Sequence, residues 1–194
     1  MFASMSNQPP VESRRGDVLI PLIRAAATIG FAVVPCSLGF VIVAVSEQLI
    51  RSIMVGDDPE LLVSDLQNQF PDEALEVADD EPLVAKVVEL IERPDRAADL
   101  PLDLRGTEFQ LRVWRALQEV PAGETVSYQS LAERIGAPDA AAAVAEACAA
   151  NPLAVAIPCH RAVRASGELA GCRWGAELQR ALIEREVMPT AAKC

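Results

Sequence analysis

Residues 157–161 read Ile-Pro-Cys-His-Arg, and they place the only histidine of the chain, His160, directly after Cys159. Pro158 restricts the backbone that leads to both side chains. A thiol attacks as its thiolate, which neighbouring cations or a proton-sharing base stabilise. His160, Arg161 and Arg164 are all close in sequence. An isolated cysteine is more often a small buried hydrophobic residue, but these five residues together favour a nucleophile.

Motifs on both sides of this pentapeptide point the same way. In chain order they are Gly106–Gln110 (GTEFQ), Val113-Trp114, Ala116-Leu117, Pro121–Gln129 (PAGETVSYQ), Leu131-Ala132, Ala147–Asn151 (ACAAN) and Arg173–Gly175 (RWG). Together with residues 157–161 they resemble the O6-alkylguanine-DNA alkyltransferases, most closely the C-terminal part of the Ada proteins. The resemblance is strong from about Gly106 to Val187, and a weaker match continues upstream through residues 100–103.

This resemblance implies the fold class, which is α/β. It implies an N-terminal ribonuclease H-like α/β domain, with an antiparallel hairpin sheet plus helices. A mostly helical, winged-helix-like domain follows, with a helix-turn-helix and the active-site cysteine. We expect a flexible tail at residues 1–16, the N-terminal α/β domain at 17–100, and the alkyltransferase and DNA-binding domain at 101–190.

Local patterns in the N-terminal half predict strands followed by helices. Residues 25–46 form 22 uncharged residues, which is long enough to cross a bilayer. The turn-forming cluster Pro35–Gly39 lies between two β-branched stretches, so a buried hairpin is the preferred interpretation and no membrane contact is expected. A third strand is predicted at 49–55. Two helices, at 57–70 and 82–93, are expected to flank an acidic linker at 71–81.

The C-terminal half is predicted to be helical. Thr107 and Ser127 are N-cap candidates, and the predicted helices cover residues 108–120, 128–135, 140–150 and 176–186. The second and third, joined by the turn Gly136–Asp139, form a helix-turn-helix. Residues 155–158 are predicted to be a short extended stretch that delivers Cys159.

Charge and cysteine content limit the binding partners and the cellular compartment that can be expected. The net charge is -11, and all of it lies in residues 1–103, which carry 7 Lys/Arg against 18 Asp/Glu; residues 104–194 carry 10 of each. A neutral domain is a weak candidate for tight nonspecific DNA binding, although its arginines can still form a local patch. The five cysteines have no Cys-x-x-Cys spacing, which favours free thiols in a reducing cytoplasm and no metal site.

The resemblance assigns the chemistry to four residues. Cys159 would accept an alkyl group from O6 of guanine, once and irreversibly, with O4-alkylthymine as a further substrate class. His160 would reach the thiol through a water, and Glu186 would hold the imidazole. Asn151 would tie the recognition helix to the active-site segment through backbone hydrogen bonds. No cofactor is implied, and the partner is double-stranded DNA carrying O6-alkylguanine, bound by a monomer.

Four further residues are assigned to DNA or substrate. Tyr128 matches a family tyrosine beside the target phosphate, and Arg161 is grouped with it. Ala142 stands where the family has an arginine that enters the base stack, and Cys172 stands where it has a tyrosine lining the alkyl pocket. These two departures leave an alternative open, a repair-impaired DNA-binding or regulatory relative. An unrelated cysteine hydrolase is disfavoured, because no glycine-rich oxyanion element lies nearby.

Overall fold

A computed structural model describes residues 28–78, 81–94, 99–169 and 173–187. The predicted tail at 1–16 and the pocket residue Cys172 therefore lie outside the described residues. Within the described ranges, no helix is long and apolar enough to cross a membrane. The uncharged segment that raised this question forms strands, so from Thr28 onward the hairpin prediction is confirmed.

The N-terminal half is built on a four-stranded sheet. Its strands are β1 (Ile29–Cys36), β2 (Gly39–Ser46), β3 (Leu49–Gly56) and β4 (Leu75–Val77). Their order is β3-β2-β1-β4, with antiparallel pairing of β2 to both neighbours and parallel pairing of β1 to β4. Strand β4 lies inside the stretch predicted to be a linker. That prediction is wrong because three residues on a sheet edge are too few to leave a pattern in the sequence.

Two helices cover opposite faces of this sheet. Helix α1 (Pro59–Gln69) begins at Asp58, whose side chain accepts from the N–H groups of Glu60 and Leu61. It packs on the face that presents Ile42 and Ala44 of β2. Helix α2 (Glu81–Glu92) packs on the other face, which presents the alternate residues Val41, Val43 and Val45. Side chains alternate across a strand, so β2 is buried on both faces.

The C-terminal half is mostly helical. Its helices are α3 (Glu108–Gln118), α4 (Tyr128–Arg134), α5 (Ala141–Ala149) and α6 (Ala176–Val187), with a short parallel pair, β5 (Val126–Ser127) and β6 (Ala162–Val163). Thr107 forms a capping box with Gln110, and Ser127 caps α4. The predicted helix-turn-helix is therefore present as α4 and α5. Every predicted helix from residue 57 onward is present within two residues of its expected bounds.

The two halves share one hydrophobic core and are joined through their backbones. Trp114 of α3 is buried in the cluster that includes Val41 and Val43, and its Nε1 donates to the carbonyl of Ala147. The N–H of Ile53 donates to the carbonyl of Pro152 at 2.9 Å, and Ile53 accepts from the N–H of Ala154 at 3.0 Å. The outer edge of β3, which pairs with no other strand of the four-stranded sheet, therefore forms backbone hydrogen bonds with the segment that leads to Cys159.

Candidate active site around Cys159

The backbone before Cys159 turns, so the predicted extended stretch at 155–158 is wrong. Residues 154–156 form a turn, Val155 has a φ of 65°, and Cys159–Arg161 form one turn of 3-10 helix. The N–H of Ile157 donates to the carbonyl of Leu153 at 3.0 Å. A β-branched residue rarely adopts a positive φ. Tertiary contacts outweigh the β-propensity of this short apolar run.

Asn151 supplies the contacts that shape this turn. It is fully buried, and its Oδ1 accepts from the N–H of Leu153 at 2.9 Å. Its Nδ2 donates to the carbonyl of Ile157 at 2.9 Å and to the sulfur of Cys159 at 3.3 Å. Asn151 therefore bonds backbone groups, and it also contacts the thiol, which the sequence did not suggest. A donor aimed at the sulfur favours its anionic form.

Cys159 lies inside the protein. The residue is 3% exposed and belongs to the hydrophobic cluster shared by both halves. Burial in apolar surroundings opposes formation of a thiolate. The polar contact from Asn151 and the neighbouring imidazole therefore determine what this sulfur can do. Cys159 differs from an inert core cysteine because the side-chain amide of Asn151 donates to its sulfur and because His160, which is paired with Glu186, follows it directly in the chain.

His160 and Glu186 form a buried pair. The distance from His160 Nε2 to Glu186 Oε1 is 2.7 Å, and the Glu186 side chain is 1% exposed. Because a carboxylate accepts, Nε2 carries the proton, and Nδ1 is the ring nitrogen that can accept whenever the imidazole is neutral. Burial alone would raise the pKa of Glu186. The hydrogen bonds from His160, Arg161 and the Gly123 N–H, with the His160 charge, outweigh it and lower that pKa to about 2.

Arg161 is turned into the protein. Its Nε donates to both carboxylate oxygens of Glu186 at 3.1 Å, and its Nη2 donates to Oε1 at 2.8 Å. Its Nη1 donates to the carbonyl of Val120. The sequence assigned Arg161 to DNA or substrate, whereas the structure commits its guanidinium to the carboxylate that holds His160. A planar guanidinium is suited to this forked contact.

Two residues of the site were missed by the sequence reasoning. The N–H of Gly123 donates to Glu186 Oε2 at 3.0 Å, and Gly123 has a φ of 81°. Gln179 of α6 is fully buried, and its Nε2 donates to the carbonyls of His160 and Ala162. The Pro-Ala-Gly-Glu segment at 121–124 is a turn signal that could have drawn attention to Gly123, but no local pattern distinguishes Gln179 from a solvated helix residue.

Two of the residues assigned to DNA or substrate, Tyr128 and Ala142, lie on the helix-turn-helix. Tyr128 is the first residue of α4 and is half-buried against the core. Ala142 is exposed in the first turn of α5, and exposed acids, Asp139 and Glu146, lie beside it. The Nε2 of Gln129 donates to the carbonyl of Pro138 and braces the turn between the helices. Among the residues that the structure describes, no cluster of His, Cys, Asp and Glu could hold a metal ion.

The sequence of this chain is similar to those of known proteins. Residues 108–188 match the family described as "6-O-methylguanine DNA methyltransferase, DNA binding domain". The bifunctional transcriptional activator/DNA repair enzyme Ada of Escherichia coli is 48% identical over 80% of this chain and 45% of its own length. The inducible methylated-DNA–protein-cysteine methyltransferase of Bacillus subtilis is 38% identical over 62% of this chain and 68% of its own length. This chain spans about half the length of most curated relatives that it matches.

Solved structures agree with the sequence matches. Mycobacterium tuberculosis OGT in complex with DNA has a TM-score of 0.68 and 32% identity, covering 82% of this chain and 92% of that one. The M. tuberculosis O6-methylguanine methyltransferase has a TM-score of 0.69 and 32% identity, covering 85% and 96%. The α/β fold, the Pro-Cys-His-Arg site and these matches together show that the chain belongs to the methylated-DNA–protein-cysteine methyltransferase family.

Proposed function

We propose that the protein repairs DNA by moving an alkyl group from O6 of guanine to the sulfur of Cys159. The observation that carries this proposal is the linked set of Asn151 on the sulfur and Glu186 on His160. In the reaction the sulfur–carbon bond forms as the carbon–O6 bond breaks, and the restored guanine, which stays in the DNA, takes up a proton. The thioether has no ready leaving route, so each molecule acts once. O4-alkylthymine is proposed as a further substrate.

Each residue of the site has a role in this reaction. His160 would take the thiol proton on Nδ1, through the water that the resemblance implies, while Nε2 stays bonded to Glu186. Because Glu186 remains ionised at neutral pH, it stabilises the imidazolium that forms. Asn151 stabilises the thiolate that results. Arg161 and the Gly123 N–H keep the carboxylate of Glu186 in place.

The proposed partner is double-stranded DNA carrying O6-alkylguanine. The family relationship and the helix-turn-helix support it, as does the solved complex of M. tuberculosis OGT with DNA. The target guanine must leave the base stack, which costs a few kcal/mol. Tyr128 would lie beside the rotated nucleotide. The exposed methyl groups of α5, including Ala142, would allow close approach to the groove, and Cys172 would line the alkyl pocket.

The finer points of organisation are part of the same proposal. The N-terminal half would be a ribonuclease H-like domain ending near residue 100, and the C-terminal half a winged-helix-like domain ending near 190. The protein would act in the cytoplasm as a monomer, with no cofactor. The alternative of a repair-impaired relative is not favoured. The E. coli Ada protein, which matches 80% of this chain, is named as a DNA repair enzyme as well as a transcriptional activator, and the B. subtilis relative is named as a methyltransferase.

Intact-mass analysis tests the proposal. After incubation with duplex DNA containing O6-methylguanine, the protein should gain the mass of one methylene, and peptide mapping should place it on Cys159. The variant Cys159→Ala should gain no mass, and unmethylated duplex should leave the wild-type protein unchanged. Wild-type protein that stays unmodified while its DNA keeps the lesion would overturn the proposal. A label on Cys148 in place of Cys159 would also overturn it.

A further inference from the structure

The end of α6 presents two adjacent residues to different parts of the molecule. Consecutive residues of a helix point about 100° apart. Glu186 points inward, to His160 and Arg161. Arg185 points to the N-terminal half, where the turn between β1 and β2 meets the end of α2. One short segment of backbone therefore connects the active site with the N-terminal sheet.

The guanidinium of Arg185 is held by three residues, Ser37, Ile91 and Glu92. Its Nη1 donates to Ser37 Oγ and, at 3.3 Å, to the carbonyl of Ile91. Its Nη2 donates to the carbonyl of Ser37 at 3.4 Å. The carboxylate of Glu92 lies 3.5 Å from Nη1. Contacts to both a strand turn and a helix end fix Arg185 far better than one exposed ion pair would.

Ser37 and Glu92 are themselves bound to each other. The N–H of Ser37 donates to Glu92 Oε1 at 2.8 Å, and its hydroxyl donates to the same carboxylate. Burial opposes the charge on Glu92. The hydrogen bonds from Ser37 and the charge of Arg185 outweigh it, so the pKa of Glu92 lies below its usual range. The three side chains form one connected group, called here the Arg185 anchor (Ser37, Glu92 and Arg185).

The Arg185 anchor lies where it can restrain the C-terminal turn of α6, which carries Glu186. Glu186 is the last residue but one of α6, and helix ends fray unless tertiary contacts hold them. Its carboxylate has to stay within hydrogen-bond reach of His160 Nε2 for the imidazole to keep its tautomer. The backbone of Gly123 packs against the backbone carbonyl of Glu186 on one side. The anchor restrains the same turn of helix from the side of the N-terminal half.

We propose that Arg185 is a positioning residue, through which Ser37 and Glu92 of the N-terminal half hold Glu186 against His160 and so set the reactivity of Cys159. It acts through its neighbour, since its hydrogen bonds go to Ser37 and Ile91 and not to the imidazole. This inference rests on the proposed function, in which Cys159 is the residue alkylated. It gives the N-terminal half a part in the chemistry.

Among the residues that the structure describes, few charged and titratable groups lie around this path. Those facing the His160 imidazole are Glu186 from α6 and, behind that carboxylate, Arg161. Those facing Arg185 are Glu92 from α2 and the thiol of Cys36 from β1. Burial raises the pKa of Cys36, with Glu92 acting in the same direction. Cys36 is half-buried, so a thiol reagent must be followed separately on each cysteine.

The experiment measures the second-order rate constant for alkylation of Cys159 by iodoacetamide, read on the Cys159 peptide by mass spectrometry. The reaction forms a sulfur–carbon bond and releases iodide, so it needs no DNA. Rates are taken from about pH 5 to pH 9, the range that spans histidine and thiol titration. The proteins are the wild type, Arg185→Ala, Arg185→Lys, Glu92→Gln, Ser37→Ala and Arg180→Ala. Arg180 is an exposed arginine of the same helix and serves as the matched control.

The expected result is a shift that depends on the anchor. Arg185→Ala should move the midpoint of the pH–rate profile up by about one unit, and so slow the reaction about tenfold below that midpoint. Arg185→Lys should recover part of the shift, Ser37→Ala and Glu92→Gln should give smaller ones, and Arg180→Ala should match the wild type. If Arg185→Ala does not fold, the smaller shifts expected in Ser37→Ala and Glu92→Gln decide the question.

Two outcomes would overturn the inference. One is an unchanged profile in every anchor variant that folds. The other is an equal slowing in Arg185→Ala and Arg180→Ala with no movement of the midpoint, which would show a general effect of charge on the helix. Methyl transfer from O6-methylguanine DNA is measured on the wild type in a parallel experiment. A wild type that never takes up the methyl group refutes the proposed function, while the iodoacetamide profiles still decide the role of Arg185.

Discussion

The side-chain amide of Asn151 donates to the sulfur of Cys159 at 3.3 Å, and the same nitrogen donates to the carbonyl of Ile157 at 2.9 Å. One buried side chain therefore sets both the path of the backbone and the polarity around the sulfur of Cys159. Since Asn151 directly follows α5 and its C-cap Ala150, a shift of that helix would reach the sulfur through this one side chain.

Replacing this amide with an isosteric carboxylate tests the contact. In Asn151→Asp the donor to the sulfur is lost and a negative charge is placed beside it, which opposes the thiolate. We expect methyl transfer from O6-methylguanine DNA to slow by at least about tenfold, the effect of one pKa unit. Single-turnover kinetics measure it. A variant that folds and transfers at the wild-type rate would show that the amide does not act on the sulfur.

The pair formed by Glu186 and His160 predicts a pH dependence of stability. The folded-state pKa of Glu186, about 2, lies below the ordinary value of 4.5. Its contribution to the free energy of unfolding is therefore complete above about pH 4.5 and is lost as the pH falls toward 2. Urea unfolding at several acidic pH values measures this loss, expected to be roughly 2 to 3 kcal/mol.

The variant Glu186→Gln is the control for that measurement. It lacks the titrating group, so its free energy of unfolding at neutral pH should be lower and should change less between pH 4.5 and 2. Parallel curves for the two proteins over this interval would mean that Glu186 is not ionised in the folded protein in the way its contacts indicate. Methyl transfer by Glu186→Gln should also be slower.

Gly123 should tolerate no side chain. An alanine Cβ there would lie 3.3 Å from the carbonyl oxygen of Glu186, in a backbone conformation with a φ of 81°. The control is Gly167→Ala, where the φ is 83° but no atom lies within 4 Å. Both variants carry the cost of a left-handed residue, about 1 kcal/mol. Gly123→Ala should be less stable than the control and should also slow methyl transfer. Equal stability and equal transfer rates in the two variants would show that the Glu186 carbonyl moves away from the added Cβ at no cost.

The exposed position of Ala142 predicts a gain of function. An arginine there would extend from the first turn of α5, where the family places a side chain that fills the base stack. We expect Ala142→Arg to speed transfer from methylated duplex DNA and to leave transfer from free O6-methylguanine unchanged. Ala149→Arg, at the far end of the same helix, controls for the added charge, which by itself strengthens DNA binding. Equal gains in both variants would point to charge alone.

Local signals in the sequence predicted much of this fold, and long-range contacts account for what they missed. Thr107 and Ser127 cap their helices through neighbours in sequence, so short motifs revealed them. The turn at Val155 depends on Asn151 and on β3, and the sequence instead predicted a strand. Arg161 and Gln179 obtain their roles from partners far away in the chain. The Arg185 anchor joins residues separated by up to 148 positions, beyond any local pattern.

The shared core has a consequence for severing the polypeptide. Val41 and Val43 of the sheet bury their side chains in the same cluster as Trp114 and Leu117 of the helical half. Fragments made by cutting after residue 100 would each expose a hydrophobic surface that is covered by the other fragment in the intact protein. Co-expressed as two separate polypeptides, they should associate without a covalent link and recover methyl transfer, while either fragment alone should precipitate or lose activity.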